Sequence, residues 1–137
     1  TISIYLVSKP DILICMYPMR KLTGNGYIGH PDHIASGEAA MAAVFPTARD
    51  RLTFPDLLEQ GLEPHKVKEL WVMGSELAEE YVDVTETIEI AIQALQKHAS
   101  QIQNMEDVAN HMREWRTKNG ESVNMRYAEK FHAFDLS

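Results

Sequence analysis

Residues Ile12-Leu13-Ile14-Cys15-Met16-Tyr17 form an apolar run without charge, glycine or proline, and Pro18 follows at once. Such a run is short for a helix, and it lacks the polar alternation of a strand with one wet face. It reads as a buried strand of the kind found in parallel sheets covered on both faces. The next segment, Pro18–Asp32, holds Pro18, Gly24, Gly26, Gly29 and Pro31 and has the composition of a loop. In open α/β sheets, ligands bind in the loops beyond the carboxyl ends of the strands. A strand followed by this loop therefore sets both the fold class to expect and the place to look for chemistry.

The rest of the chain alternates in the same sense. Thr1–Lys9 sets Ile2, Ile4 and Leu6 against Ser3 and Ser8, a spacing that does not separate a strand from a helix end; Pro10-Asp11 is a turn signal. His33–Phe45, rich in Ala and Met, is expected to be helical, and Pro46–Gly61 to be a loop with one short helix near Asp56–Gln60. Val67–Met73 is a second strand candidate. Asp83, with Glu86 three residues on, is expected to cap a helix with the stripe Ile88, Ala91, Ile92, Leu95 and Ala99. Asn104 is expected to cap the next helix, with Met105, Val108, Ala109, Met112 and Trp115 facing the core and Gly120 closing it. Tyr127–Phe134 reads as a final short strand. Alternation of this kind predicts an α/β fold with a mainly parallel sheet. No repeat or linker divides the sequence, so residues 1–137 are read as a single domain.

Composition narrows the partners. Lys and Arg number 13 against 20 Asp and Glu, a net charge of −7, which argues against a general binder of nucleic acid or acidic membrane. No apolar run approaches the roughly 20 residues of a transmembrane helix. Cys15 is the one cysteine, so an intramolecular disulfide is excluded and a reducing, cytoplasmic setting is favoured. Within Ile12–Met16 it is expected to pack as a core residue. Thr1 opens the sequence without Met or signal peptide, which is read as a sign of a processed or incomplete product.

The residues that could carry chemistry are Tyr27-Ile28-Gly29-His30-Pro31-Asp32-His33. Two imidazoles and a carboxylate fall within four residues, where a glycine-rich loop enters a helix. Imidazole is the commonest protein ligand for zinc and related divalent ions, and a neighbouring carboxylate can fix the tautomer of a His. The plainer reading is helix capping, with Pro31 in the first turn. A catalytic zinc also requires three protein ligands and an open position, which this segment does not supply by itself. Of the other histidines, His98 follows a helix and is read as dipole-compensating or site-lining, while His65 and His132 are read as structural or exposed.

Gly29-His30-Pro31-Asp32-His33-Ile34-Ala35 resembles a conserved motif of the PIG-L/LmbE superfamily of zinc-dependent N-deacetylases. Lys9-Pro10-Asp11, Phe54-Pro55-Asp56-Leu57-Leu58, Gly61-Leu62-Glu63-Pro64-His65, Val82-Asp83-Val84-Thr85, His98-Ala99-Ser100-Gln101 and Tyr127-Ala128-Glu129-Lys130-Phe131 follow in the family's order. The resemblance implies a Rossmann-like three-layer fold, a Zn²⁺ or other divalent ion, and hydrolysis of an N-acetylated amino sugar or its conjugate. It assigns His33 as a metal ligand, His30 and Asp32 as catalytic residues and His98 as a substrate-side residue. The family's amino-terminal Ala-His-Pro-Asp-Asp-Glu motif has no counterpart here. The chain is therefore expected to be the carboxyl-terminal part of such a domain, inactive by itself, and to form a homo-oligomer or associate with the missing amino-terminal part. The alternative is a non-catalytic remnant of the same fold acting as an interaction module.

Overall fold

The computed structural model describes residues 2–20, 22 and 28–137. Among these, α1 spans Ile2–Ser8, β1 Ile12–Met16, α2 Pro31–Ala42, α3 Pro55–Glu59, β2 Glu69–Met73, β3 Glu80–Asp83, α4 Ile88–Gln96, α5 Met105–Gly120 and β4 Ala128–Asp135. The strands form one sheet in the order β1-β2-β4-β3. The α/β reading therefore holds. Its pairings are mixed, with β1 parallel to β2 and β2 antiparallel to β4. The ambiguous opening segment is helical. No described helix is long and apolar enough to cross a membrane.

The chain divides into two compact units, Thr1–Ala78 with Phe131–Ser137, and Glu79–Lys130. In the first, register sets Leu13 beside Leu70 and Cys15 beside Val72. Alternation along each strand turns these residues to one face, where Cys15, Leu70 and Val72 are buried with Tyr5, Leu6, Val44, Ala48 and Val67. Cys15 is thus the core residue its sequence context suggests, and burial pushes its thiol pKa up, away from nucleophilic chemistry. His65 ties the strand approaches together, its Nε2 donating to the Pro10 carbonyl at 2.8 Å while its ring lies against Tyr5. Past α2 the helix loosens into a π-turn at Ala43–Thr47, where Phe45 is extended (φ −149°) ahead of Pro46. A residue preceding proline is pushed out of the helical region by the ring.

The second unit corrects several expectations. Asp83 does not cap a helix: its Oδ1 accepts from Thr85 N at 2.9 Å, and α4 starts later, at Ile88, after Thr87. Ile88 and Ile92 are buried against Ala109, Met112 and Tyr127, but Ala91 is exposed and α4 ends before Ala99. Asn104 does cap α5, accepting from Asp107 N. Trp115 is not core. It is 51% exposed, with the Arg116 guanidinium 4.4 Å from its ring centre. Gly120 does not close α5 through a left-handed turn; its φ is −76°. A Cβ there would stand 2.0 Å from the Met125 carbonyl oxygen, so glycine is required by close approach, and Asn124 takes the left-handed conformation instead (φ 57°).

Four exposed carboxylates are stabilised as anions. The Thr53 hydroxyl and Leu52 N–H hold Asp50 below the usual carboxylate range, and Thr85 does the same for Asp83. The Arg113 fork, with two 2.8 Å contacts, lowers Glu89, and Ser137 lowers Asp135. A pKa lowered by folding gives stability that is present above the unfolded value and lost as pH falls through the folded one. Thermal melts are expected to be insensitive to these groups above about pH 5 and to drop steadily below about pH 4. A melting temperature that stays level into that acid range would contradict this assignment.

Candidate functional site

The histidine segment lies where α2 begins, after the loop that follows β1. Pro31 takes the first helical position and His30 is the N-cap, extended at φ −73° and ψ 136°. Capping comes from an imidazole: Asp32 N donates to His30 Nδ1 at 3.1 Å. The His30 carbonyl then accepts from His33 N at 3.1 Å and Ile34 N at 3.2 Å, so side chain and carbonyl of one residue together close the first turn. Gly29, at φ +89°, makes the sharp entry, and Arg20 donates to its carbonyl. Gly24, Gly26 and Tyr27 lie outside the described residues.

The far side of the turn is set by packing. A Cβ on Gly37 would stand 2.2 Å from the Met16 carbonyl oxygen, so α2 crosses the end of β1 at backbone contact. Tyr17 N donates to Met73 O at 3.0 Å, which carries the β1–β2 pairing one residue beyond the strands. Helix α2 and the end of β1 are thereby seated on one another.

The structure brings His30, Asp32 and His33 together. The two rings are 5.6 Å apart between centres and tilted by 46°, and the Asp32 carboxylate is 3.8 Å from His30 Nδ1. All three side chains are exposed to solvent. His98 belongs to the second unit, in the turn after α4, where its N–H donates to Leu95 O and its carbonyl accepts from Gln101 N. His132 Nδ1 engages the Leu77 carbonyl at 2.7 Å with its ring edge-on to Phe134, a structural role that agrees with its placement among aromatics.

Two features escaped the sequence reading, one beside the histidine segment and one after β2. Arg20 is one, since nothing in its context marks it as a brace for Gly29. Ser75 is the other: it is buried two residues beyond β2, after Gly74 (φ +82°), and its Oγ accepts from Leu77 N at 3.1 Å. The signal was available, because Gly74-Ser75 directly follows a strand candidate, the position where parallel sheets place functional loops.

No protein-family profile matches the sequence, and no curated protein matches it. Solved structures share its fold, among them the following two. The N,N'-diacetylchitobiose deacetylase of Pyrococcus horikoshii, solved with its inhibitor, superimposes with a TM-score of 0.83 at 23% identity, over 98% of this chain and 49% of its own. A conserved protein of Thermus thermophilus superimposes with a TM-score of 0.70 at 20% identity, over 95% of this chain and 54% of its own. The chain thus spans about half the length of each. Identities this low establish a common fold.

Proposed function

We propose that His30, Asp32 and His33 form part of a metal-assisted amide-hydrolysis site that removes the acetyl group from an N-acetylated amino sugar. The observation that carries this reading is the His30 cap. A Nδ1 that accepts from Asp32 N holds a lone pair, so the neutral ring bears its proton on Nε2. The cap therefore selects one tautomer and fixes the ring's direction at the start of a helix, where the backbone dipole favours developing negative charge. A ring so held can donate to the oxyanion of a tetrahedral intermediate, or pass its proton to the leaving amine. The Asp32 carboxylate stands 3.8 Å from the same Nδ1.

His33 fits one position in a metal's coordination shell: a solvent-accessible imidazole in the first turn, its backbone N–H already bonded to the His30 carbonyl. Among the described residues no three His, Cys, Asp or Glu side chains converge to hold an ion. Zinc, when bound, supplies Lewis acidity at the acetyl carbonyl and a lowered water pKa. In this reading His33 holds, His30 donates and Asp32 orients and balances His30. His98 would line the substrate side.

The residues 1–137 alone are expected to bind zinc substoichiometrically and to release no amine from N,N'-diacetylchitobiose. The product of the complete reading frame is expected to release it, and His33→Ala to abolish that release together with the zinc. Stoichiometric, tightly held zinc in the isolated chain would overturn the partial-site reading. Absence of amine release from any N-acetyl sugar by the complete product would overturn the deacetylase reading and favour an interaction module.

A further inference from the structure

We infer that Leu77 is a specificity-determining residue, packing against the C–H face of the sugar ring, and that His132 is the positioning residue that holds it there. The inference rests on the deacetylase reading and extends it to the loop that follows β2. All the residues concerned belong to the first compact unit.

β1 and β2 are parallel neighbours, so their carboxyl ends lie at one end of the sheet, about 5 Å apart. There the Tyr17 N–H donates to the Met73 carbonyl, and a Cβ on Gly74 would stand 4.0 Å from that of Tyr17. The loops leaving the two strands therefore start side by side. His33 and Gly37 are four residues apart in α2 and share one face of the helix. Gly37 is seated on the Met16 carbonyl, and Ala40 and Met41 beyond it pack on the core. His33 thus lies one turn, about 5.4 Å, past the strand end, on the helix face turned to it.

The loop after β2 reaches the same face of the sheet. His132 pairs with Val72, and residues directly opposed in an antiparallel pair turn their side chains to one face. Val72 belongs to the core on which Ala40 and Met41 of α2 pack, so His132 stands on the α2 side. From there its Nδ1 donates to the Leu77 carbonyl at 2.7 Å. The Leu77 N–H donates to the Oγ of buried Ser75 at 3.1 Å. Both backbone polar groups of Leu77 are clamped by side chains, while its own side chain is 69% exposed. An exposed leucine alone is ordinary. One fixed at both N–H and C=O, on the face and at the end where α2 begins, is preorganised for contact. A sugar ring offers an apolar C–H face with a hydroxyl rim, and an isobutyl group covers the first without competing for the second.

Steady-state kinetics of the product of the complete reading frame on N,N'-diacetylchitobiose test this. Leu77→Ser is expected to raise KM roughly tenfold and to leave kcat within about twofold, the signature of binding lost equally from ground and transition states. His132→Phe keeps a ring beside Phe134 but removes the donor, and is expected to raise KM in the same way. His132→Asn places an amide N–H near the position of Nδ1 and is expected to restore KM, a rescue that a merely structural histidine does not predict. If His132→Phe does not fold, Leu77→Ser decides, since that side chain is at the surface. An active wild type whose KM is unmoved by Leu77→Ser overturns this inference and leaves the deacetylase reading in place. A fall in kcat at constant KM also overturns it, by moving the loop from recognition to the reacting centre. A wild type that releases no amine from any N-acetyl sugar overturns the deacetylase reading and this inference with it.

Discussion

Gly37→Ala is expected to destabilise the protein by about 3 kcal/mol, the upper end of what overpacking costs, and to lower its melting temperature by about 10 °C. The reason is the identity of the neighbour. The added Cβ would meet the Met16 carbonyl oxygen at 2.2 Å, and a strand backbone cannot swing aside as the end of a flexible side chain can. Relief requires α2 to lift away from β1, and the start of α2 carries His30 and His33. The substitution should therefore loosen the site as well as the fold. Chemical and thermal unfolding of the variant measure the first effect. A melting temperature within a degree or two of wild type would mean that α2 is not seated on β1 as described.

Replacing His30 separates the cap from the chemistry. Asparagine is among the best N-caps, so His30→Asn should preserve the start of α2 and leave the melting temperature nearly unchanged. It lacks the imidazole Nε2–H to which the proposed function assigns the oxyanion, and on that proposal amine release by the complete product is expected to fall by roughly 10²–10³-fold. His30→Ala should show the same loss of rate together with about 1 kcal/mol of lost stability from the missing cap. If His30 only capped the helix, the asparagine variant would keep its rate, and that result would refute the proposed role.

The parts of this site differ in how far the sequence discloses them. Pro31-Asp32 marks a helix start to any reader, because proline's restricted φ and missing N–H suit the first turn. That His30 supplies the cap is not legible, since it depends on the rotamer that brings Nδ1 to Asp32 N. Trp115 shows the same gap. Its spacing from Ala109 and Met112 fits an apolar stripe, but the buried arc of α5 is narrow, and a cation over its ring keeps the indole at the surface. Gly120 illustrates a second kind of ambiguity. A glycine near a helix end serves equally as a left-handed cap or as a gap for a passing backbone, and the Met125 carbonyl decides between them. β3 is not foreseeable, because Glu80–Asp83 has too little apolar patterning to mark a strand before its neighbour in the sheet is known.

By itself the sequence determined the buried strand at Ile12–Met16, the loop behind it and the helix that begins at Pro31-Asp32. These follow from local causes: apolar continuity, glycine and proline chemistry, and the requirements of a first helical turn. Tertiary structure alone decided which His30 nitrogen is engaged and how closely α2 approaches β1. Those properties depend on three-dimensional placement, which local patterning does not encode. Hydrophobic periodicity says only that a face is to be covered, and the packed structure shows that the Ile12–Ile14 face of β1 remains substantially exposed.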